Sequence, residues 1–145
     1  MDRLKLFKIL IVDDSALFRQ ILKEILRVRF PSIEIHEATD GETTRQIIKT
    51  SPPDLIFIDI NLPRENGLIL TQKIKVRYPG IVITLLTGWD LPEYREASIQ
   101  SKADHFLFKG SVTQESIFAL VESVLRHWEN TPGDKGTNRS PQHLL

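Results

Sequence analysis

Five short apolar runs alternate with stretches of helical periodicity along the chain, and this alternation limits the possible folds more than any other feature. Runs of this length are typical of strands buried in a parallel sheet, and only the second, with its alternating polar residues, indicates an edge strand. Strands are predicted over Phe7–Val12, Ile33–Ala38, Leu55–Ile60, Ile81–Leu86 and His105–Phe108. Strands joined by helical crossovers pair in parallel, and right-handed connections place the helices on both faces of the sheet. The sequence therefore predicts an α/β fold, a doubly wound parallel sheet of five strands in the order 2-1-3-4-5.

The segments between the strands predict five helices, each bounded by a capping or helix-breaking residue. They cover residues 15 to about 29, 40–50, 68–77, 91–101 and a last helix that starts after Ser111 or Thr113. The first helix has two apolar rows, Leu17/Ile21/Ile25 and Phe18/Leu22/Leu26, and the third should turn Ile69 or Leu70 inward together with Ile74. The last helix carries the clearest apolar face: Ile117, Leu120, Val121, Val124, Leu125 and Trp128.

Length and composition fit one soluble globular domain, because 145 residues can form one core but not two ordinary ones. The formal net charge is zero, so nothing global indicates a nucleic acid or an anionic membrane as partner, and no apolar run is long enough to span a bilayer. The absence of cysteine excludes disulfides and thiolate metal sites. We expect a domain over residues 1–129, a disordered tail or linker over 130–145, and a cytoplasmic location.

Polar side chains follow four of the predicted strands at the point where each strand ends. Asp13 and Asp14 end the first strand, Asp59 the third, Thr87 the fourth and Lys109 the fifth. The carboxyl ends of parallel strands meet at one edge of the sheet, and this strand order opens a crevice there between strands 1 and 3. Asp59 is the most informative of these residues, because a carboxylate within so apolar a run is hard to explain as structure alone.

Such a cluster has the parts that phosphoryl transfer requires. Neighbouring carboxylates repel one another and favour a hard cation such as Mg²⁺. A carboxylate can also attack phosphorus to give an aspartyl phosphate, if positive charge and donors stabilise the equatorial oxygens. Lys109 can supply the charge and Thr87 a hydroxyl donor. Singly, the aspartates could cap a helix, Thr87 could close a turn and Lys109 could be a solvated strand end; their coincidence at one sheet edge favours the functional interpretation.

Four segments together resemble the receiver domain of two-component response regulators. They are Ile9-Leu-Ile-Val-Asp13-Asp14-Ser15, Asp54-Leu-Ile-Phe-Ile-Asp59-Ile-Asn-Leu-Pro63, Leu85-Leu-Thr87-Gly88 and Phe106-Leu-Phe-Lys109-Gly110, and the similarity spans roughly residues 8–126. The resemblance implies a flavodoxin-like fold, similar to chemotaxis receivers, in which Asp59 accepts a phosphoryl group from a sensor histidine kinase or a phosphotransfer protein. It also implies Mg²⁺ bound by Asp14, Asp59 and the main-chain carbonyl of Asn61, with Asp13 completing the acidic pocket.

By the same resemblance, Thr87 and Lys109 contact the phosphate and Phe106 is the switch aromatic. The chain would then be a regulatory domain that assists its own phosphorylation and dephosphorylation, and not an enzyme in its own right. It would act on a protein target that the motifs do not identify, without direct contact to nucleic acid or membrane, and an apolar patch around Phe118 could form a homodimer. The Lys109-Gly110-Ser111 segment is more like receivers fused to helix-turn-helix output domains, and a bulky Trp89 would slow autodephosphorylation by shielding the acyl phosphate.

Two rival functions share these residues. An Asp-nucleophile phosphatase would use the same nucleophile and metal, but such enzymes usually carry a second Asp where this chain has Asn61. A pseudo-receiver that serves only as a scaffold would need neither metal nor phosphate, and the complete residue set argues against it. Whether the chain stands alone or belongs to a longer DNA-binding regulator is left open by the sequence.

Overall fold

The computed structural model describes residues 6–130 and contains the predicted sheet. Its five parallel strands lie in the order β2-β1-β3-β4-β5, which confirms the predicted topology. They are β1 (Lys8–Val12), β2 (Glu34–Ala38), β3 (Leu55–Asp59), β4 (Val82–Thr87) and β5 (His105–Phe108). The predicted disordered tail lies, except for Asn130, outside the described residues.

Five helices connect the strands and follow β5, close to the predicted bounds. They are α1 (Ala16–Arg29), α2 (Gly41–Thr50), α3 (Gly67–Arg77), α4 (Pro92–Gln100) and α5 (Gln114–Glu129). Side chains of Ser15, Asp40, Asn66 and Thr113 cap α1, α2, α3 and α5 by accepting a hydrogen bond from a first-turn N–H. A single 3₁₀ turn at Lys109–Ser111, which the sequence did not predict, separates β5 from α5.

The sheet separates two apolar cores, as a doubly wound fold requires. Successive β3 residues alternate between them, because side chains of a strand point to opposite faces. Ile56 and Ile58 pack with Ile48 of α2 and Ile74 of α3, whereas Phe57 packs with residues of α1 and α5. All five residues of β3 are buried, so the strand that ends in Asp59 is fixed from both sides.

One of the two apolar rows predicted for α1 is wrong in part. Leu22 and Leu26 are buried, but Leu17 is 71% exposed and Ile21 is 44% exposed. Adjacent residues differ by about 100° around a helix, so the two rows together span a wider arc than the sheet and α5 can cover. In α3 the inward residues are Leu70 and Ile74, and Ile69 is exposed.

The far end of α5 is tied to the edge of the sheet opposite the strand ends that carry the polar residues. The Trp128 ring packs edge-to-face on Phe7 at 5.2 Å, and its Nε1 donates a hydrogen bond to Asp54 Oδ1 at 3.1 Å. Trp128 is therefore a packing residue, as expected. Phe118 is half-buried against Phe30 and Arg29, which leaves less of its ring for a dimer contact than the sequence suggested.

Candidate functional site

The strand register brings the predicted site residues to one edge of the sheet. Val12 of β1 pairs with Ile58 of β3, so Asp13 and Asp59 follow directly on neighbouring strands. Carboxylate oxygens of Asp13, Asp14 and Asp59 all lie within 4.8 Å of one another. Lys109 extends from the end of β5 into the same cluster.

Asp59 is the last residue of β3 and is 5% exposed. Its Oδ1 accepts a hydrogen bond from the main-chain N–H of Asn61 at 3.1 Å, and its Oδ2 lies 3.4 Å from Lys109 Nζ. Burial raises the pKa of the Asp59 carboxyl above its usual value, and the nearby Asp13 carboxylate raises it further against the opposing effects of Asn61 and Lys109. Asp59 is therefore largely removed from solvent.

Asp13 is completely buried and holds the opposite side of the cluster. Its Oδ1 accepts from the N–H of Ser15 at 2.8 Å, and its Oδ2 forms an ion pair with Lys109 Nζ at 2.7 Å. The Lys109 ammonium also lies 4.4 Å from the centroid of the Phe18 ring, a cation–π distance. Lys109 is thus fixed by three groups and bridges Asp13 and Asp59.

The cluster suits a hard divalent cation. Three carboxylates face the single ammonium of Lys109, so the pocket holds an excess of negative charge that a cation would neutralise. All of the donors are oxygens, the ligands that Mg²⁺ prefers. Asp14 is exposed at the rim of the crevice, whereas Asp13 and Asp59 are buried. The pocket is therefore open to solvent on the side of Asp14.

Thr87 and Phe106 lie on the β4 and β5 side of the crevice. Thr87 is the last residue of β4 and is buried, and its Oγ1 accepts a hydrogen bond from the N–H of Trp89 at 3.1 Å. That bond leaves the hydroxyl proton available for another acceptor. Phe106 is half-buried in β5, where the guanidinium of Arg95 lies 5.0 Å from its ring centroid. Phe106 thus contacts α4 and does not join the acidic cluster.

Three supporting residues were not singled out for this site from the sequence. Phe18 was assigned only to the apolar face of α1. Arg19, one helical turn after Ser15, donates to the main-chain carbonyl of Asp13 at 2.7 Å, and no pattern distinguished it from a solvated helix residue. Gly67 packs so closely on β3 that a Cβ would lie 2.2 Å from the carbonyl oxygen of Asp59. The third predicted helix begins at residue 68, directly after Gly67, so the role of Gly67 as a close-approach position was missed.

Comparison with known proteins identifies the family. A sequence model of the response regulator receiver domain matches residues 9–122, and the chain belongs to this family. It is 32% identical over 118 residues to the transcriptional regulatory protein DegU of Brevibacillus brevis, covering 81% of this chain and 48% of the relative. It is also 32% identical over 114 residues to the oxygen regulatory protein NreC of Staphylococcus epidermidis, covering 78% of this chain and 52% of the relative. The chain therefore spans about half the length of these curated relatives.

Solved structures agree with this assignment. A CheY-like receiver domain protein from Methanospirillum hungatei JF-1 superposes with a TM-score of 0.75 at 28% identity, covering 86% of this chain and 98% of that one. A two-component response regulator from Clostridium difficile superposes with a TM-score of 0.76 at 29% identity, covering 86% and 99%. The chain is thus a receiver domain of two-component response regulators, a regulatory class, with the flavodoxin-like fold that the resemblance implied. Over residues 6–130, no helix is both long and apolar enough to cross a bilayer.

Proposed function

We propose that Asp59 is the phospho-acceptor of this receiver domain and takes its phosphoryl group from a phosphohistidine of a sensor histidine kinase or a phosphotransfer protein. The observation that carries this proposal is the position of Asp59, a buried carboxylate at a strand end with one oxygen against Lys109 and two further carboxylates nearby. Structural needs alone do not explain three carboxylates and one lysine at the same sheet edge.

The transfer exchanges one bond to phosphorus for another. A carboxylate oxygen of Asp59 forms the new P–O bond while the P–N bond of the phosphohistidine breaks and the imidazole nitrogen keeps the electron pair. Lys109, whose Nζ lies 3.4 Å from Asp59 Oδ2, would neutralise charge on the transferred group. The buried Thr87 hydroxyl would donate to one of its oxygens.

Asp14, Asp59 and the main-chain carbonyl of Asn61 would hold Mg²⁺, with Asp13 completing the acidic pocket. When bound, the metal supplies positive charge that offsets the repulsion between the carboxylates and the incoming phosphoryl oxygens. The orientation of the carboxylates depends on hydrogen bonds within the protein. Arg19 and the N–H of Ser15 fix Asp13, and the N–H of Asn61 fixes one oxygen of Asp59, so the nucleophile is oriented before the donor arrives.

Phosphorylation would change the protein surface through Thr87 and Phe106. A phosphoryl group on Asp59 would draw the Thr87 hydroxyl toward it, at the expense of the bond from the N–H of Trp89. Phe106 would rotate into the space vacated and leave the guanidinium of Arg95. The result is a population shift between two packings of β4, α4 and β5 that a protein target reads. Residues 1–129 form the switching domain in this proposal, which acts in the cytoplasm through protein contacts, a homodimer among them, and not by binding nucleic acid.

The process that this domain regulates is determined by the protein or domain that it contacts. The names of the relatives describe transcriptional and oxygen regulation by proteins about twice as long as the matched segment. We extend to this chain only the phosphorylation step and a change in protein contacts. A phosphatase role is not supported by the site, because Asn61 stands where a general acid would be required and an amide cannot donate that proton efficiently.

Intact-mass spectrometry after incubation with acetyl phosphate tests the proposal. We expect one added phosphate that requires Mg²⁺ and is absent from Asp59→Asn. Asp104→Asn is the matched control, because Asp104 is a carboxylate that pairs with Lys75 away from the crevice, and it should be phosphorylated normally. Phosphorylation of Asp59→Asn at the wild-type rate would refute the assignment, and no adduct in any protein would favour the pseudo-receiver.

A further inference from the structure

A groove of about 420 Å³ runs between α2 and α3, separate from the acidic crevice. Its floor is apolar, formed by the buried Ile48 of α2 and Ile74 of α3 together with the half-buried ring of Tyr78. Nothing in the phosphorylation chemistry uses this groove.

The two walls of the groove carry matching rows of positive charge. Arg45 and Lys49 are four residues apart on α2, and Lys73 and Arg77 are four residues apart on α3. Residues at this spacing lie on the same face of a helix, so each wall presents two exposed cations along the groove. Glu42 is the only carboxylate among the described residues that line it.

The cations at one end of the groove are paired with a carboxylate, and those at the other end are not paired within residues 6–130. At the end nearer the crevice, Glu65 of the β3–α3 loop pairs with Arg45 at 2.8 Å and with Lys73 at 3.1 Å. At the other end, neither Lys49 nor Arg77 forms an ion pair within residues 6–130, and the Arg77 guanidinium lies 5.9 Å from the Tyr78 ring. The positive potential is therefore concentrated beside the apolar floor at the end formed by the last turns of α2 and α3.

We propose that this groove is a docking site for an acidic amphipathic helix of a partner protein. Apolar side chains at i, i+3 or i+4 would cover the floor, and acidic residues on the two flanks would meet Lys49 on one wall and Arg77 on the other. Positive charge on both walls also fixes the rotation of the helix about its own axis, so that its apolar edge faces the floor, which a single positive patch would not do. The concave shape with an apolar floor favours a helix over a membrane, because a bilayer would contact the outward-facing helix surfaces and leave the floor uncovered.

The proposal is independent of phosphorylation at Asp59, since none of the four cations belongs to the acidic cluster. Failure of either proposal therefore leaves the other standing. The variant Lys49→Glu/Arg77→Glu should retain the Mg²⁺-dependent phosphorylation described above.

Fluorescence anisotropy with the full chain and a synthetic peptide provides the test. The probe is a labelled helical peptide with leucines at every third or fourth position and glutamates on both flanks. We expect saturable binding that weakens as salt is raised and that falls by about tenfold in Lys49→Glu/Arg77→Glu, equivalent to about 1.4 kcal/mol. A peptide of the same composition in scrambled order, which cannot present an apolar edge between two acidic ones, should bind at least about tenfold more weakly than the probe.

The matched control is Arg27→Glu/Arg126→Glu, which changes the net charge equally. Arg27 and Arg126 are basic residues in the last turns of α1 and α5, as Lys49 and Arg77 are in the last turns of α2 and α3. Because exposed charges far from the groove are screened, the control should change affinity by less than about twofold. Amide chemical shifts of Ile48, Ile74 and Tyr78 should move on titration with the probe.

Four results would overturn the proposal. The first is no saturable binding of the probe, and the second is an equal loss of peptide affinity in the control and groove variants. The third is equal affinity for the scrambled peptide and the probe, and the fourth is a set of amide chemical-shift changes confined to helices other than α2 and α3. Tighter binding to vesicles of phosphatidylcholine and phosphatidylglycerol than to the peptide would reassign the surface to a membrane. Self-association abolished by Lys49→Glu/Arg77→Glu, measured by sedimentation, would reassign it to a second copy of the chain.

Discussion

Replacing Gly67 by Ala should destabilise the domain, although helix propensity alone predicts the opposite. Gly67 is the first residue of α3, and Ala in place of Gly within a helix ordinarily stabilises it by about 0.5–1 kcal/mol. In this structure a Cβ at position 67 would lie 2.2 Å from the carbonyl oxygen of Asp59 and 2.9 Å from Cα of Ile60. Non-bonded heavy atoms pack best at about 3.5 Å, so the start of α3 would have to move by about 1 Å.

The cost of that movement sets the expected magnitude. Both obstructing groups are main-chain atoms of the buried β3 end, which cannot rotate away, and overpacking of this kind costs about 1–3 kcal/mol. We therefore expect Gly67→Ala to lower the free energy of unfolding by that amount, as measured by urea denaturation with an unchanged m-value. The start of α3 packs directly on the main chain of Asp59, so its displacement should also slow phosphorylation by acetyl phosphate.

Alanine substitutions at two other glycines, where a Cβ would meet less obstruction, are the controls. A Cβ at Gly88 would meet no atom within 4 Å, so Gly88→Ala should change stability by less than about 0.5 kcal/mol. A Cβ at Gly41 would lie 2.3 Å from Oε1 of Glu65, the end of a side chain that can move, so Gly41→Ala should fall between the other two. If Gly67→Ala were as stable as the wild type, the close approach of α3 to Asp59 would be wrong.

Three further predictions concern the metal, pH and phosphate lifetime. Mg²⁺ should raise the free energy of unfolding of the wild type in proportion to the logarithm of its concentration above Kd, and Asp59→Asn should respond less; equal responses would place the metal elsewhere. The hydrogen bond from Lys23, together with Arg19, holds the pKa of Glu37 below its usual value. The ion pairs of Glu37 therefore stabilise the folded state above the unfolded-state pKa, and this stabilisation is lost as pH falls through the lowered, folded-state pKa. Glu37→Gln should therefore cost about 0.5 kcal/mol at neutral pH and nothing in strong acid, and a cost that persists in acid would contradict the ion-pair explanation. Trp89→Ala should accelerate loss of the acyl phosphate, and an unchanged decay rate would show that this ring, 58% exposed without phosphate, does not shield it.

The topology could be predicted because the strands are short, apolar and regularly separated by helices. The central strands β1 and β3 are buried on both faces, so their sequences are nearly continuous apolar runs that contrast with the helices around them. The polar residues at their ends could then be assigned to one edge by the rule for parallel sheets alone. That is why Asp13, Asp14, Asp59, Thr87 and Lys109 could be assigned to one edge of the sheet from the sequence.

Features that depend on tertiary contacts could not be predicted in the same way. Leu17 and Ile21 have the spacing of core residues, yet the sheet and α5 cover only part of the apolar arc of α1. The placement of Phe18 under Lys109 has no local signal, because the two residues are 91 positions apart in the chain. Likewise the pairing of Glu65 with Arg45 and Lys73, which divides the α2–α3 groove into a neutralised and a positive end, depends on how the β3–α3 loop meets two helices.

Reductive mapping of the phosphorylated residue tests the central claim most directly. Borohydride converts an aspartyl phosphate to homoserine and leaves free carboxylates unchanged, so tandem mass spectrometry identifies the residue that carried the phosphoryl group. After phosphorylation with Mg²⁺ and reduction, position 59 should be homoserine and Asp13 and Asp14 should be unmodified. Homoserine at position 13 or 14 with Asp59 intact would contradict the account.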